Sequence, residues 1–438
     1  MYDIIYIGGG LNYAGAVVAA KHGKKVALIE QNLKELGGTC LHKGCIPSKL
    51  FLHYGELVYN THDEILEGSV DLSQKKLFQK KKKLLENANK AILKQCSHVD
   101  IIEGKAQVTA PHTVTVNGET LEGEFIVIGT GSSAFIPEGI RYDTEHIIIS
   151  DDVLDMQILP KQIAIYGVGA IGLEMASFFS AVGVDVTLID RGENLLAHAE
   201  ESIRVAMRKQ LAKMGIELLD NHAITSAEKT KEGVLVHYED GSSAVFEKLL
   251  VATGRRANSD VVATQEIAVS KGIQTNEHFE TTLKKHYAIG DCNAKLQLAH
   301  AARAEVLQVT AEILGKKPRL LNLEHVVKFI HTLPMSYAMV GKIKSALEKE
   351  GIAYKMSKVP LSQFAYATYN HAVSGVMVTY VDEEGFVLGA EIFAPHAEEL
   401  IAPVAMSLAG EMDAAHAKNT ILAHPTFSEA LERTFYKL

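Results

Sequence analysis

Residues 162–172, Gln-Ile-Ala-Ile-Tyr-Gly-Val-Gly-Ala-Ile-Gly, carry the pattern that decides the fold. Ile163–Tyr166 predict a buried strand, the G-x-G-x-x-G spacing predicts a tight turn, and the residues up to about Ala181 predict a helix. A second predicted strand, Asp185–Ile189, ends at Asp190. This β-α-β unit is typical of dinucleotide-binding domains, in which the turn and the helix N-terminus hold a pyrophosphate and the acid holds a ribose diol.

A similar unit opens the chain. A predicted strand over residues 3–7 leads into Gly8-Gly9-Gly10-Leu11-Asn12-Tyr13, a helix and a second strand that ends at Glu30. Tyr13 replaces the third glycine, which normally allows close helix–strand packing, so we expect an altered turn. One alternative is a tight turn in an α/β fold that binds no nucleotide. The strand–turn–helix context and Glu30 favour dinucleotide binding through Gly8 and Gly10.

Two such units in one chain suggest two different dinucleotides, a bound flavin and a diffusible nicotinamide. Asp190 favours NAD, because a carboxylate bonds the ribose 2′-OH and repels the 2′-phosphate of NADP. Arg191 follows at once and would soften that preference, so NADP stays the less favoured alternative.

A close cysteine pair lies in residues 37–49, Gly-Gly-Thr-Cys-Leu-His-Lys-Gly-Cys-Ile-Pro-Ser-Lys. We expect Cys40 and Cys45 to lie about one turn apart along a helix, within disulfide range. A helix N-terminus and the cations Lys43 and Lys49 would favour the thiolate, the reactive form of a thiol. The pattern therefore predicts a redox relay between a flavin and a disulfide substrate.

The alternative for this pair is half of a zinc site. The chain has no second cysteine pair, because Cys96 and Cys292 are isolated, so we predict ordinary buried thiols there and no metal. Far along the chain, Glu429 follows His424 by five positions. A histidine and a carboxylate at this spacing can form an oriented acid–base pair.

Composition is that of an ordinary globular protein, with 438 residues, 47% of them hydrophobic and 22% charged. The formal net charge of -9 disfavours general binding to nucleic acids or anionic membranes. No apolar run reaches the roughly 18–20 residues that span a bilayer. The N-terminus lacks the pattern of a secretory signal, so we expect a cytoplasmic protein.

These motifs together resemble the class I pyridine nucleotide-disulfide oxidoreductases, and Gly169–Glu174 is most similar to the dihydrolipoamide dehydrogenases among them. The resemblance implies an α/β fold with two Rossmann-like dinucleotide-binding domains, for FAD and NAD, plus a C-terminal α+β dimerisation domain. The implied boundaries are 1–145 for the first part of the FAD domain, 146–266 for the NAD(P) domain, 267–318 for the second FAD part and 319–438 for the dimerisation domain.

The resemblance also implies roles for individual residues. Cys45 would lie beside the flavin, and Cys40 would be the thiol that attacks the substrate disulfide. His424, oriented by Glu429, would carry the proton to and from Cys40 across a subunit interface, which implies a homodimer. Lys49 would lie near the flavin ring. This lysine would also pair with Glu174.

The cofactor contacts implied by the resemblance follow the same motifs. Those on the flavin side are Gly8, Gly10, Glu30, Gly38, Thr39, Lys49, Ala106, Gly131, Asp291 and Ala299. Asp291 would hold the ribityl chain. Those for NAD are Gly167, Gly169, Gly172, Asp190 and Gly254.

Some residues depart from the family pattern and leave the substrate open. His42 and Lys43 add polar and positive character between the cysteines, and Met335 replaces the acid usual after Pro334. The predicted substrate is a small-molecule or lipoyl-protein disulfide. The alternatives are an NAD(P)H-dependent reductase of another disulfide or small molecule (glutathione-reductase-like or quinone-type), and a flavin redox sensor without disulfide turnover.

Overall fold

A computed structural model describes residues 1–63, 65–193, 195–318 and 320–438. The chain divides into two compact units. The first comprises residues 1–48, 75–135 and 254–323, and the second comprises residues 49–74, 136–253 and 324–438. Among the described residues, no helix is both long and apolar enough to cross a membrane.

The strands are β1 (Tyr2–Ile7), β2 (Val26–Glu30), β3 (Asp100–Glu103), β4 (Ala106–Ala110), β5 (Thr113–Val116), β6 (Glu119–Ile128), β7 (Ser132–Ala134), β8 (Ile147–Ile148), β9 (Gln162–Tyr166), β10 (Asp185–Ile189), β11 (Glu217–Leu219), β12 (Ile224–Lys229), β13 (Val234–Tyr238), β14 (Ser243–Phe246), β15 (Lys248–Val251), β16 (Arg255–Ala257), β17 (His286–Ala288), β18 (Lys328–Ile330), β19 (Ser336–Gly341), β20 (Lys355–Pro360), β21 (Val376–Val381) and β22 (Val387–Ala394).

The α-helices are α1 (Asn12–Lys21), α2 (Gly38–His42), α3 (Cys45–Asn60), α4 (Gln74–Gln95), α5 (Ser150–Asp155), α6 (Ala170–Ala181), α7 (Glu201–Lys213), α8 (Ala299–Ile313), α9 (Lys344–Glu350), α10 (Ala365–Tyr369), α11 (Ala397–Leu400), α12 (Ala402–Ala409), α13 (Ala414–Lys418) and α14 (Ser428–Tyr436). Short 3₁₀ helices cover Leu33–Glu35, Gly290–Asn293, Leu323–His325 and Leu361–Gln363.

The first unit is built on parallel strands in the order β3-β2-β1-β6-β17. Strand β1 lies between β2 and β6, with Ile4 opposite Val26 on one side and Phe125 on the other. Ile4 and Ile5 are both fully buried, and they pack into different hydrophobic clusters. The strands read as continuous apolar runs because both faces of the sheet are covered. The start of β6 pairs with β5 in an antiparallel meander that also includes β4.

Helix α1 packs closely on α8 at Gly15. A Cβ added at Gly15 would lie 2.6 Å from both Val306 Cγ2 and Thr310 Oγ1. The hydroxyl groups of Tyr6 and Thr310 share a hydrogen bond of 2.8 Å beside this contact. Tyr13 lies one residue into α1 and packs against the same core. A Cβ at Gly15 would also lie 3.0 Å from the Tyr6 ring of β1, so Gly15 permits close packing of α1 on both α8 and the strand.

The second unit contains a second parallel sheet, in the order β11-β10-β9-β15-β8. Residues 163–166 of β9 are buried, and β10 and β15 flank them on either side. The backbone N–H of Gly167 donates to the carbonyl of Ile189 at 2.9 Å, so the chain leaves β9 held against the end of β10. The predicted strand Asp185–Ile189 and the end of the helix at Ala181 are confirmed.

The C-terminal segment of the second unit is an antiparallel sheet, β18-β19-β22-β21-β20, with α14 packed on β20 and β21. The hydroxyls of Thr379 and Thr434 join sheet and helix at 2.7 Å. Glu391 is fully buried in this sheet and accepts from the hydroxyls of Tyr337 at 2.8 Å and Tyr380 at 2.6 Å. Burial raises the pKa of Glu391, with the tyrosine hydrogen bonds opposing that rise.

These sheets confirm the predicted fold class, an α/β chain with two Rossmann-like parallel sheets and a C-terminal α+β segment. The lysine-rich stretch Gln74–Gln95 forms the 22-residue helix α4. The division into domains at residues 145, 266 and 318 stays a prediction.

Candidate active site

The cysteine pair lies where a short helix is followed closely by the start of a long one. Cys40 is in α2 and Cys45 is the first residue of α3, and their Sγ atoms are 2.6 Å apart. That separation is roughly half an ångström longer than the bond in a disulfide. The expectation that both cysteines lie on one helix is wrong. Five residues of continuous helix would separate them by roughly 7.5 Å along the axis, too far for a bond, and the break before Cys45 removes that separation.

The break occurs at Gly44, where the chain passes tightly against α2. A Cβ added at Gly44 would lie 2.9 Å from the carbonyl oxygen of Thr39. Beyond it, Cys45 is exposed and stands in the first turn of a 16-residue helix. Backbone N–H groups at a helix N-terminus stabilise an anion, so this position favours a thiolate. Cys40 is partly buried.

The two departures between the cysteines are tied back to the preceding loop. Lys43 forms a salt bridge with Glu35 at 2.9 Å, and His42 Nε2 donates to the carbonyl of Leu36 at 2.9 Å. The Lys43 charge is therefore partly compensated by a carboxylate. The expected contribution of Lys43 to thiolate stabilisation is correspondingly smaller than the sequence predicts.

The first glycine turn supports the cysteine segment. The N–H of Gly37 donates to the carbonyl of Gly9 at 3.0 Å, and a Cβ added at Gly38 would lie 2.7 Å from Gly10 Cα. Gly38 also has φ +73°, a backbone conformation that favours glycine. Glu30 Oε2 accepts the N–H of Gly9 at 2.7 Å. The close approach that brings Gly10 to the start of α2 thus requires glycine at residue 38.

The same turn fits the pyrophosphate of FAD. Gly8 has φ +91°, and a Cβ there would lie 2.4 Å from the carbonyl oxygen of Gly129, so the residues that directly follow the adjacent strands β1 and β6 approach too closely to admit a side chain. Asn12, fully buried at the start of α1, donates to the carbonyls of Ile7 at 3.0 Å and Val127 at 3.3 Å. Two parallel strands are thereby joined at their carboxyl ends, where ligands bind in such sheets.

Asp291 stands in a small hydrogen-bond relay. Its Oδ2 accepts the hydroxyl of Ser132 at 2.5 Å, and Ser132 Oγ in turn accepts from Arg255 Nε at 2.8 Å. Gly131, just before Ser132, has φ +69° and accepts the N–H of Asn258 at 2.9 Å. The sequence analysis missed Ser132 because its partners are more than a hundred residues away along the chain.

The other flavin-side residues occupy ends of elements in the first unit. Ala299 begins α8, Ala106 begins β4 opposite Val116, and Thr39 lies in the first turn of α2. Gly254 also belongs to the first unit, directly before β16, with φ +116°.

The second glycine turn requires glycine at residue 172. A Cβ added at Gly172 would lie 1.9 Å from the carbonyl oxygen of Gly167, whereas one added at Gly169 would meet nothing within 4 Å. Gly169 directly precedes α6, so open space lies at a helix N-terminus, as a pyrophosphate needs. Asp190 directly follows β10, with its N–H bonded to the carbonyl of Leu219 at 2.9 Å. The residues of this turn fit a second dinucleotide.

Lys49 and Glu174 are brought together in the second unit. The ammonium group of Lys49 lies 2.5 Å from Glu174 Oε1, and Glu174 is only 7% exposed. The same oxygen accepts the backbone N–H of His331 at 3.0 Å. The ring of Phe329 lies 5.3 Å from the Lys49 ammonium group, close enough for a cation–π contact. The sequence analysis missed His331 and Phe329, because no local sequence pattern marks either residue.

His424 and Glu429 also meet. His424 Nδ1 lies 2.8 Å from Glu429 Oε2, and Glu429 Oε1 accepts the N–H of Thr426 at 2.8 Å. The hydrogen bond from His424 lowers the pKa of Glu429 below its ordinary value. The imidazole is 80% exposed, and a proton on Nδ1 leaves Nε2 as the basic nitrogen. The pair can therefore accept and return a proton at the surface.

Cys96 and Cys292 are buried, at 1% and 0% exposure. Burial raises the pKa of Cys96 and raises that of Cys292 to about 12. The prediction of ordinary buried thiols is confirmed. Buried thiols of high pKa are poor nucleophiles, so chemistry is left to the other pair.

Two dinucleotide-type sheets, a close cysteine pair and a histidine–carboxylate pair define a flavin-linked disulfide oxidoreductase. Residues 2–305 match the family described as pyridine nucleotide-disulphide oxidoreductase, and residues 327–435 match its dimerisation domain. The chain belongs to this family. It is an enzyme that uses FAD and a pyridine nucleotide, and its dimerisation domain indicates a homodimer.

Known proteins are similar to this chain over 98–99% of its length. Dihydrolipoyl dehydrogenase from Bacillus subtilis is 31% identical over 98% of this chain and 96% of its own. Mercuric reductase from Lysinibacillus sphaericus is 30% identical over 98% of this chain and 81% of its own. The HOCl-induced flavoprotein disulfide reductase RclA from Escherichia coli has a similar structure, with a TM-score of 0.89, 26% identity, and coverage of 99% of both chains.

Proposed function

We propose that this chain is a cytoplasmic, homodimeric, NAD-preferring flavoprotein that exchanges electrons with a dihydrolipoamide-type disulfide through Cys40 and Cys45. The observation that carries the proposal is the 2.6 Å separation of the two Sγ atoms at the N-terminus of α3. The two sulfurs need little movement to form or break a bond.

Thiol–disulfide exchange accounts for the chemistry of the pair. The Cys40 thiolate attacks one sulfur of the substrate disulfide, and the leaving substrate sulfur takes a proton from His424. The Cys45 thiolate then attacks Cys40, releases the second substrate sulfur and closes the Cys40–Cys45 disulfide. Two electrons pass from the dithiol to the substrate, and the same steps in reverse oxidise a dithiol substrate.

Bound FAD supplies two-electron exchange between the pyridine nucleotide and the cysteine pair. The turn from Gly8 to Gly10, with Glu30, would bind its adenosine pyrophosphate end, and Asp291 would orient its ribityl chain. Lys49 would hold positive charge near the ring, with Glu174 fixing the direction of the ammonium group. The 2.5 Å contact of Lys49 with a nearly buried carboxylate supports that assignment.

Replacement of each cysteine by serine tests the roles of the pair. A thiolate next to an oxidised flavin gives a long-wavelength absorbance band, so the proposal expects Cys40→Ser to keep that band and Cys45→Ser to lose it. Both variants should lose disulfide reduction. A Cys45→Ser variant that keeps the band would overturn the assignment of Cys45 as the thiol beside the flavin.

NAD preference rests on Asp190, which directly follows β10. The proposal expects a kcat/KM at least about tenfold higher with NADH than with NADPH, a difference of about 1.4 kcal/mol, because the Asp190 carboxylate repels the 2′-phosphate. Asp190→Ala should raise kcat/KM with NADPH and so lower the ratio of the NADH value to the NADPH value. Equal use of both nucleotides by the unmodified enzyme would contradict this part of the proposal.

The substrate is proposed from the similarity to dihydrolipoyl dehydrogenases. A second candidate is a reductase of another disulfide or small molecule, favoured by the tethered His42 and Lys43 between the cysteines. Steady-state assays with lipoamide, glutathione disulfide and a quinone separate the two. Turnover of lipoamide at least about tenfold faster than the others supports the proposal, and a preference for either of the others supports the second candidate.

The shared active site can be tested by subunit exchange. Cys40→Ser and His424→Ala homodimers should each be inactive. If His424 serves the cysteines of the partner subunit, mixed dimers regain about one active site in two. Mixed dimers shown to have exchanged subunits, yet without activity, would contradict the arrangement.

A further inference from the structure

The Lys49–Glu174 pair is contacted by residues at the end of β18. The backbone N–H of His331 donates to Glu174 Oε1 at 3.0 Å, and the Phe329 ring lies 5.3 Å from the Lys49 ammonium group. The end of β18 therefore touches both members of the pair. A shift of this segment would move both contacts at once.

His331 is itself anchored on the side away from Glu174. Its Nδ1 lies 3.1 Å from Oε1 of Glu398, which belongs to α11. Both side chains are largely buried, at 21% exposure for His331 and 15% for Glu398. Burial alone would raise the pKa of Glu398, but the hydrogen bonds that its carboxylate accepts, the strongest of them from His331, together with the interaction with that ring, outweigh burial and lower the pKa to about 2. Several partners therefore keep Glu398 ionised at this partly buried position, and His331 is the strongest of them.

A carboxylate held ionised in a partly buried position needs good partners, because taking charge out of water is unfavourable unless geometry and partners are good. Three of the six described salt bridges that involve histidine in the second unit join residues no more than three positions apart along the chain: His146 with Asp143, His146 with Glu145, and His416 with Asp413. The His331–Glu398 pair instead joins β18 to α11 beside the proposed catalytic lysine. The location of the His331–Glu398 pair suggests that it holds the end of β18 in place.

We propose that His331 and Glu398 are positioning residues for the reaction, fixing the end of β18 so that Glu174 holds the ammonium group of Lys49 in one orientation. The inference rests on the role of Lys49 and Glu174 in the proposed function. Glu398 holds the His331 ring, the His331 backbone holds Glu174, and Glu174 holds the ammonium group of Lys49. No electron or proton passes along these contacts.

A double-mutant cycle between Glu398 and Glu174 tests the inference. The measured quantity is the rate of flavin reduction by NADH at pH 8, followed by stopped flow at 450 nm on samples matched for FAD content. Glu398→Ala should slow this rate about three- to tenfold, as expected when a supporting network is loosened. Glu398→Gln keeps an acceptor for the His331 N–H and should stay within about twofold of the unmodified enzyme.

In the Glu174→Gln background, Glu398→Ala should cause no further slowing beyond about twofold, because the contact through which it acts is already weakened. A matched control is His416→Gln, which removes an exposed histidine–carboxylate pair of 2.8 Å in the same unit and should leave the rate unchanged. If Glu398→Ala fails to fold, Glu398→Leu repeats the cycle with the volume filled and the acceptor removed.

The outcomes separate the inference from the function on which it rests. Equal slowing by Glu398→Ala in both backgrounds, or none in the unmodified enzyme, overturns the inference alone when Glu174→Gln is itself slow. An unchanged rate in Glu174→Gln refutes the role of Lys49 and Glu174 and overturns the inference with it. If Glu398 had only a structural role, Glu398→Ala would lower the melting temperature in both backgrounds, and its effect on the rate would not depend on the residue at position 174.

Discussion

Replacement of Gly38 by alanine should disturb the junction between the first glycine turn and the cysteine segment. A Cβ at residue 38 would lie 2.7 Å from Gly10 Cα, where ordinary contacts begin at 3.4 Å, so backbone must move by about 0.7 Å. Overpacking of this kind costs about 1–3 kcal/mol. The positive φ of +73° adds about 1–2 kcal/mol for any residue with a Cβ.

Gly23 supplies a matched control for the backbone term. Gly23 has φ +79°, close to that of Gly38, yet a Cβ there would meet nothing within 4 Å. Gly23→Ala should therefore show only the backbone cost of about 1–2 kcal/mol. The difference between the two variants isolates the contact with Gly10 and should be about 1–3 kcal/mol.

The assay is the temperature at which FAD is released, followed by flavin fluorescence, together with FAD bound per chain after purification. Since 1 kcal/mol shifts melting by about 2–4 °C in domains of 150–250 residues, Gly38→Ala should release FAD several degrees below Gly23→Ala. It should also retain less FAD, because displaced Gly10 belongs to the proposed pyrophosphate turn. Identical release temperatures and FAD contents for the two variants would refute the reasoning.

Three further predictions concern other parts of the chain. Gly172→Ala should abolish NADH binding, measured by quenching of nicotinamide fluorescence, while FAD stays bound, because its Cβ would lie 1.9 Å from the carbonyl oxygen of Gly167; normal NADH affinity would refute it. Alkylation of the folded, reduced enzyme should label Cys40 and Cys45 but not the buried Cys96 and Cys292, and mass spectrometry of the labelled peptides checks this. The pKa of Glu398, about 2 against an ordinary 4.5, means that its ionised form stabilises the fold above pH 4.5 and that this contribution is lost as pH falls toward 2. The melting temperature of the unmodified enzyme should therefore approach that of Glu398→Gln as the pH is lowered from 4.5 toward 2, and a constant difference would contradict the assignment.

The parallel sheets could be predicted from the sequence because the patterns that mark their strands and turns are local. Gly172 lies in a turn that has room for no residue but glycine, and the apolar runs of β9 and β10 indicate strands covered on both faces. The cysteine pair was found for the same reason. Its geometry was wrong in one respect, because five-residue spacing suggested a single helix and the break at Gly44 comes from a contact with Thr39.

The residues that support the site could not be predicted in this way. Ser132 finds its carboxylate partner 159 residues along the chain, and His331 finds Glu174 at a separation of 157 residues. Such contacts depend on how whole sheets and helices pack, and single-sequence patterns report only neighbours at strand or helix spacing. Tyr13 gave a misleading signal for the same reason, since the small residue that α1 needs against α8 is Gly15.

Anaerobic reduction with dithionite tests most directly whether the two sulfurs exchange electrons with the flavin. A linked pair takes up two electrons in addition to the two of the flavin, so the oxidised enzyme should consume about four electrons per bound FAD, and Cys45→Ser about two. Uptake of only two electrons by the unmodified enzyme, with Cys40 and Cys45 shown beforehand to be oxidised, would contradict the account.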